Sequence, residues 1–551
     1  MVGTKKSNAD RRSQHFLDFI ERAGNNVPHP AVLFLALCAG VIVLSALLNL
    51  TSWSASYEVV QPPPHSVEQV DIGGSVLPGE MLPAGQAPAS SYHVTTQTAK
   101  VQSLLSVDGL RYLFTSFINN FTGFTAVGII LVVMIGVGVA EVSGLISSLI
   151  RKLVAVASAS SLTFVIVLLG IFSSIASDAG YLVLIPLGAA AFKSVGRHPL
   201  AGMAAAFAGV AGGFGVNLLI TPIDAVLTEV TNEAIHEVDP TRSIEITANL
   251  YFAVGSTILL TVLLSLVTAR LVEPRLGPYD PSLSPTGNEL RDPDTLQSTT
   301  PKRDSRGLRW AGIAVLIALL AVAALAIPPG APLRDPDTGS LIGTSPLMDS
   351  LIVIISICFL AAGIAYGRGA GTLRTTTEAI EAITKAWAGL AGLLVLFLLI
   401  AQFIAYFNYS KIPQITAVKL GDIIEHSNIG GIWLLLAVMA ITVVIGIIVP
   451  PVIAKWALLA PIFIPLFLRL GVEPQTVLAA YRVADSPVNV INPIMPYFPL
   501  IVVFAKRYDR SSGIGTVIAM MLPYFLALTV VWTLFFVAWY LLRIPLGPGL
   551  S

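Results

Sequence analysis

Within the largely apolar stretch 449–499, three charged residues lie outside the short break formed by residues 469–474. They are Lys455, Arg482 and Asp485. Each charge at the centre of a bilayer would cost about 2.5–3.5 kcal/mol on insertion scales. Three such costs together rival the free energy of unfolding of a typical domain. The charges must therefore be paired or hydrated, and a hydrated cavity inside a membrane protein is usually a substrate path.

Two interpretations of the charges remain open. Arg482 and Asp485 are three residues apart on one helical face, so they could form a structural ion pair with each other. Alternatively, Arg482 binds a substrate carboxylate with both arms of its guanidinium, and Asp485 holds Arg482 or carries a coupling proton. Lys455 could simply extend towards a membrane surface. For Trp456 we favour packing in the core over stacking on an aromatic substrate.

The composition identifies the surroundings of these residues as membrane. The chain has 551 residues, of which 55% are hydrophobic and only 12% are charged, about half the charged fraction of a soluble domain. Equal numbers of acidic and basic residues give no indication of nucleic-acid binding. Cys38 and Cys358 lie in apolar segments and predict no disulfide framework. The first apolar run begins near Ala31, too late for a cleaved signal peptide. We therefore expect an all-α polytopic membrane protein.

Nine apolar segments are long enough to span a bilayer, which needs about 20 residues. They are residues 31–50, 112–142, 200–227, 248–271, 310–327, 350–366, 387–406, 476–505 and 513–542. Two further blocks, 153–192 and 429–468, are broken near the middle by a polar run or by Pro450-Pro451. Each block could be two short spans or one re-entrant hairpin.

The distribution of basic residues agrees with two hairpins. Of the 32 Lys and Arg residues, 22 then lie on one side of the membrane and eight on the other, apart from Lys455 and Arg482. The positive-inside rule places the N-terminus in the cytoplasm and the C-terminus outside. If each block were two full spans, all other loops would stay on the same sides of the membrane. The uneven distribution of Lys and Arg therefore does not exclude that alternative.

These spans divide the chain into six parts. They are a cytoplasmic N-terminus (1–30), a first span with an outer loop (31–111), a first repeat (112–271), a linker with two spans (272–386), a second repeat (387–542) and a tail (543–551). The Pro- and Gly-rich part 51–111 predicts little regular structure, and 273–309 has the composition of a linker. Residues 370–386 predict an interfacial amphipathic helix.

Both repeats have the same order: long span, hairpin, proline-broken span. The two hairpins enter from opposite sides, an arrangement typical of secondary transporters. At the first hairpin tip, Asp178 and Ser177 could cap free N–H groups or take part in transport. Asn217 in the first repeat, and Asn489 and Asn492 in the second, could bind Na⁺ beside a helix break or simply cap it.

Other chemistries have weak support. The glycine-rich run 209–215 lies in an apolar span and lacks the Lys-Ser/Thr ending of a phosphate-binding loop, so close helix packing is the better interpretation. The sequence contains no His-Glu-x-x-His pair and no convincing Ser/His/Asp arrangement. We therefore expect a transporter rather than an enzyme. A dicarboxylate or citrate-type carrier and a passive channel remain alternatives.

Six segments resemble the AbgT family, the p-aminobenzoyl-glutamate transporter family. They are residues 21–30 (ERAGNNVPHP), 173–181 (SSIASDAGY), 212–219 (GGFGVNLL), 401–408 (AQFIAYFN), 454–463 (AKWALLAPIF) and 481–486 (YRVADS). The resemblance extends from about residue 15 to about residue 540. It implies a homodimer in the bacterial inner membrane, with nine spans and two opposed hairpins in each subunit.

The resemblance also implies a function. It implies ion-coupled transport of p-aminobenzoyl-glutamate, a compound of folate metabolism, as a symporter or an antiporter driven by H⁺ or Na⁺, and in some members export of sulfonamide antimetabolites. No cofactor is expected. The family's functional positions fall on Asp178, Trp456, Pro474, Arg482, Asp485 and Pro493. In one place the chain departs from the family's Ser-x-Ser-Ala-Lys-Trp pattern, because Pro451 and Ile453 replace the two serines.

Overall fold

The computed structural model describes residues 30–61, 93–175, 180–284, 301–341, 345–427 and 430–548. Its α-helices are α1 (Pro30–Leu50), α2 (Val107–Thr115), α3 (Phe117–Thr122), α4 (Thr125–Val142), α5 (Leu145–Val156), α6 (Leu162–Phe172), α7 (Ile185–Ser194), α8 (Pro199–Phe207), α9 (Pro222–His236), α10 (Leu250–Val267), α11 (Glu273–Leu276), α12 (Pro301–Ala326), α13 (Pro346–Asp349), α14 (Leu351–Ala370), α15 (Thr376–Gly389), α16 (Ala391–Tyr409), α17 (Ile412–Ser427), α18 (Gly431–Ile448), α19 (Val452–Arg469), α20 (Pro474–Val488), α21 (Phe498–Lys506), α22 (Ile514–Ala527) and α23 (Thr533–Leu541). Single π-helical turns continue several of them, at Gly180–Leu184, Ala208–Gly212, Thr268–Val272 and Leu528–Trp532.

The predicted fold class is confirmed, although the nine long helices are not the nine predicted spans. Within the described ranges, nine helices are long and apolar enough to cross a membrane. Two of them, α18 and α19, are the arms of the second predicted hairpin. The predicted spans 200–227 and 476–505 are instead interrupted helices. The long predicted span 112–142 is divided into α2, α3 and α4.

Each of the two predicted hairpin blocks contains a pair of apolar helices. The arms of the first, Leu162–Ile175 and Gly180–Ser194, have fewer than 18 residues, so each is at most about 25 Å long at 1.5 Å per residue. That is less than the roughly 30 Å of a bilayer core and favours a re-entrant hairpin over two spans. The predicted start at residue 153 is wrong, because residues 153–156 end the separate helix α5. In the second block, the extended residues 449–451 join α18 to α19, and its interpretation as a re-entrant hairpin rather than two spans stays a prediction.

A broken helix follows each hairpin, as predicted. Residues 213–221 interrupt the first between α8 and α9, and residues 489–497 interrupt the second between α20 and α21. Every residue of α8 and of α20 is buried. By contrast, only 6% of the apolar part of α12 is buried. The first segments of the broken helices therefore lie in the core, with α12 at the periphery. The sides of the membrane on which the hairpins and termini lie stay predictions.

Two loop predictions need correction. Strands β1 (Ser54–Gln61) and β2 (His93–Lys100) pair in antiparallel register, with Ser54 opposite Lys100, inside the part predicted to lack regular structure. Their Val, Thr and Tyr residues favour strands, and the overall Pro and Gly content concealed this. Residues 62–92 lie outside the described residues. The predicted linker 273–309 contains α11 and the start of α12, and its residues 285–300 are not described.

The predicted helix near residues 370–386 is present as α15. It starts with a capping box, in which the Thr375 hydroxyl accepts from the Glu378 N–H and the Glu378 carboxylate accepts from the Thr375 N–H. Reciprocal capping of this kind fixes a helix start. The amphipathic segment is therefore a helix, and its location at the membrane interface stays a prediction.

An arginine after the first hairpin ties three elements together. Arg197 Nε and Nη2 donate to the two carboxylate oxygens of Glu273, at 2.9 and 2.5 Å. Its Nη1 donates to the hydroxyl of Thr163, at 2.9 Å. Glu273 begins α11 and Thr163 lies in the first turn of the hairpin. The guanidinium therefore anchors the base of the first hairpin to the end of the α10–α11 segment.

We expect Arg197→Lys to lower the free energy of unfolding by about 1–3 kcal/mol, because an ammonium cannot reproduce this fork of hydrogen bonds. Thermal unfolding of the purified protein in detergent measures the change. Arg111→Ala is the control, since the Arg111–Asp108 pair is 66% and 81% exposed and should contribute little. Equal melting temperatures for Arg197→Lys and the wild type would contradict the anchoring role.

Candidate functional site

The charges of α20 pair with other helices rather than with each other. Asp485, only 1% exposed, forms an ion pair with Lys455 in the first turn of α19, which is fully buried. Arg482, 6% exposed, donates from Nη1 to Asp224 Oδ1 of α9. Of the alternatives left open by the sequence, the Arg482–Asp485 pair and the extension of Lys455 to a surface are therefore excluded. Other helices surround α20, so each of its two charges pairs with a residue on a different helix: Asp485 with α19 and Arg482 with α9.

Asp224 is the partner of Arg482 that the sequence analysis did not identify. Its Oδ2 accepts from the N–H and the hydroxyl of Thr221, at 2.6 and 2.7 Å, and so completes a capping box at the start of α9. The Thr-Pro-Ile-Asp sequence signals that cap but not the second role of Asp224. Its other oxygen joins the first repeat to Arg482 in the second, so this pair lies where the two halves meet.

Asn217 and Asn492 occupy equivalent places in the two repeats. Asn217 Nδ2 donates to Ile171 O at the end of a first hairpin arm, at 3.1 Å. Asn492 Nδ2 donates to Gly446 O at the end of α18, at 3.0 Å. Both bonds span 46 residues. The amide oxygens accept backbone N–H groups within the breaks, from Leu218 and Ile494. The two repeats thus share the same side-chain hydrogen bonds, which supports the internal repeat.

The repeat is not symmetric in charge. Counted from the two asparagines, Lys455 corresponds to Gly180 and Asp485 to Val210. A Cβ added at Gly180 would lie 3.0 Å from Val210 Cγ1, so the first repeat has a close apolar contact where the second has an ion pair. The buried charges of α20 are thus a feature of the second repeat alone.

Aromatic side chains link each hairpin to the opposite half. Trp456 is fully buried, with its ring 4.6 Å from that of Tyr481 and its indole N–H donating to Thr231 Oγ1 of α9 at 3.0 Å. In the other half, Tyr181 stacks on Tyr497 at 4.4 Å. The favoured interpretation of Trp456 as a core residue agrees with this position. Its indole also connects the second hairpin to the first repeat.

The remaining predicted site residues are placed as follows. Pro474 is the buried first residue of α20, and Pro493 lies in the break that follows this helix. Asn489 is buried at the start of the same break. Ser177 and Asp178 lie outside the described residues. Ion binding at the asparagines and solute binding at the prolines stay predictions.

The glycine-rich run 209–215 packs closely, as predicted. A Cβ on Gly215 would lie 2.4 Å from Ser486 Oγ, and the carbonyl of Gly215 accepts from Arg482 Nη1 at 3.4 Å. Only glycine allows the first break to approach α20 so closely. The run therefore helps to position Arg482.

The buried pair Lys455–Asp485 predicts a non-additive stability pattern. Lys455→Met or Asp485→Leu leaves one uncompensated buried charge and should lower the free energy of unfolding by about 3–5 kcal/mol. The double variant Lys455→Met/Asp485→Leu should recover most of that loss, since removal of a whole buried pair is often neutral. Melting temperatures in detergent test this cycle.

Arg242→Ala is the matched control for the cycle, because Arg242 pairs with Glu473 at an exposed position, where the two side chains are 41% and 52% accessible. It should leave the melting temperature unchanged. If the two single losses simply added in the double variant, Lys455 and Asp485 would not be coupled.

Comparisons with known proteins agree with this architecture. The AbgT putative transporter family matches residues 15–551. The p-aminobenzoyl-glutamate transport protein of Escherichia coli K12 is 33% identical over 532 residues, which cover 97% of this chain and 96% of that protein. The crystal structure of the Alcanivorax borkumensis YdaH transporter, described as having an unusual topology, has a TM-score of 0.80 at 39% identity, covering 95% of this chain and all of that one.

A second solved structure is equally similar. MtrF of Neisseria gonorrhoeae, described as illuminating a class of antimetabolite efflux pumps, has a TM-score of 0.82 at 36% identity and covers 97% of this chain and all of that one. These similarities extend over nearly the whole length of the proteins compared. Together with the paired hairpins and broken helices, they show that this chain is a multi-pass membrane protein that belongs to the AbgT transporter family.

Proposed function

We propose that this protein is an ion-coupled secondary transporter of an anionic aromatic-amide solute such as p-aminobenzoyl-glutamate. The observation that carries the proposal is Arg482, a guanidinium buried where the two repeats meet. Its Nη1 holds Asp224, while its Nε has no hydrogen-bond partner among the described residues. A planar guanidinium is well suited to a carboxylate, and the Escherichia coli relative is named for such a carboxylate compound.

The proposal extends to the setting of the protein. We place it in the bacterial inner membrane as a homodimer, with the N-terminus in the cytoplasm and the C-terminus outside. The charge asymmetry of the loops supports that orientation. As a second activity, the same transport route would export sulfonamide antimetabolites. The similarity to MtrF supports this.

For the coupling ion we favour H⁺ over Na⁺. Asp485 does not contact Arg482 but pairs with Lys455 in a fully buried place, so a proton on Asp485 would remove one of the two charges that hold α19 to α20. The side chains of Asn217 and Asn492 already hydrogen-bond to backbone groups. Their oxygens are thus less available to Na⁺ than the sequence alone indicated.

The first test is uptake of labelled p-aminobenzoyl-glutamate into proteoliposomes under a pH gradient, a Na⁺ gradient or neither. We expect accumulation with the pH gradient and none without a gradient, because a secondary transporter moves its solute only with the coupling ion. Labelled sulfonamide and unlabelled dicarboxylates in the same assay define the specificity. Equal flux under all three conditions would indicate a channel, and competition by dicarboxylates alone would indicate a dicarboxylate carrier.

We further expect Arg482→Ala to abolish uptake and Arg482→Lys to lower it by about tenfold or more, because lysine keeps the charge but loses the fork that fits a carboxylate. Arg111→Ala, at an exposed outer position, is the control and should transport normally. Size-exclusion profiles and melting temperatures show whether each variant is folded. Full uptake by folded Arg482→Ala would remove Arg482 from the solute site.

A further inference from the structure

A small cavity lies beside the Arg482–Asp224 pair. Its volume is about 20 Å³, enough for roughly one water molecule. Its walls are mostly apolar, and Thr228 and Asn249 are its other polar residues. The ion pair therefore borders a space that small polar groups can enter, unlike Lys455–Asp485, whose side chains are 0% and 1% exposed.

Asn249 lines this cavity with unused hydrogen-bonding groups. It directly precedes α10 and is 7% exposed, and its side chain does not cap the helix. Neither its Nδ2 nor its Oδ1 has a hydrogen-bond partner in the part of the chain that the structure describes. Buried polar groups in native proteins are nearly always satisfied, and an exception calls for an explanation. A carboxylate oxygen that enters the cavity would supply the acceptor that Nδ2 lacks.

Asp224 is held in a way that permits its displacement. One of its oxygens accepts from the backbone and the hydroxyl of Thr221, and only the other is bound by Arg482. Asp224 could thus leave Arg482 and remain hydrogen-bonded. It is 16% exposed, and Leu219, in the preceding break, is 53% exposed and borders the same cavity. Both features place Asp224 near an entrance rather than in sealed core.

We propose that Asp224 is an internal competitor for the solute: a solute carboxylate displaces Asp224 from Arg482 and accepts a second hydrogen bond from Asn249. This inference rests on the proposed function, because it assigns the carboxylate end of the solute to the same guanidinium. Arg482 Nε, which lacks a partner among the described residues, gives the guanidinium a further donor for that carboxylate. The subsite therefore selects a carboxylate and disfavours the corresponding neutral amide.

Competition has a measurable consequence for affinity. While Asp224 occupies Arg482, only the fraction of protein with the guanidinium released can bind the solute, which weakens the apparent affinity by that fraction. Asp224→Asn removes the competing charge but keeps a side chain of the same size. Asp224→Glu keeps the charge one methylene further out.

The experiment is equilibrium binding of labelled p-aminobenzoyl-glutamate to the purified full-length protein in detergent. We expect Asp224→Asn to bind about tenfold more tightly or better, and Asp224→Glu to remain near the wild type. Asn249→Ala should weaken binding with little loss of melting temperature, because its amide forms no hydrogen bond with the described residues that the substitution could remove. A purely structural Asn249 would give the opposite pattern, a lower melting temperature with unchanged binding.

Unchanged or weaker binding by folded Asp224→Asn would overturn the proposal. If Asp224→Asn does not fold, the Asn249→Ala result decides.

If no protein binds the probe, the solute of the proposed function is wrong. The rate at which phenylglyoxal modifies Arg482, measured by mass spectrometry, then decides instead. Faster modification in Asp224→Asn supports the competitor role, and equal rates overturn it. Loss of transport in Arg482→Ala with unchanged binding in Asp224→Asn would reject this inference and leave the proposed function standing.

Discussion

A charge cannot remain alone in the dry interior of a protein, and this constraint organises the core. Each of the two charges on α20 is matched by an opposite charge from another helix. Lys455 brings α19 against α20, and Asp224 brings α9 of the first repeat against the same helix. Removal of one partner leaves the other charge uncompensated. The two ion pairs therefore fix the positions of the second hairpin and of the first repeat relative to α20.

The broken helices follow from a related constraint on the backbone. A helix that stops inside a membrane leaves carbonyl and N–H groups that water cannot satisfy. Asn217 and Asn492 supply these bonds with the same geometry in both repeats, from a break to the end of a hairpin arm. The breaks are therefore held by specific side chains. That makes an irregular backbone beside Arg482 compatible with a well-defined position for its guanidinium.

Much of this arrangement could be predicted from sequence, because hydropathy, prolines and the cost of buried charge act locally. The hairpins, the breaks and the pairing of the charges all follow from those signals. The identity of the partners does not. The spacing of Arg482 and Asp485 suits a pair within one helix, and only tertiary packing decides otherwise. Asp224 was concealed by its role as a helix cap, and the β-hairpin by the glycines and prolines around it.

The difference in exposure between the two ion pairs has a mechanical consequence. Lys455 and Asp485 are sealed on all sides, so any movement that separated α19 from α20 would strand two charges in a dry interior. As long as both groups are charged, their pairing therefore holds those two helices together. Arg482 and Asp224, by contrast, join different repeats beside a cavity and a partly exposed break. The contact between α19 and α20 is thus the more costly one to open while both groups are charged, and the contact between the two repeats is the less costly one.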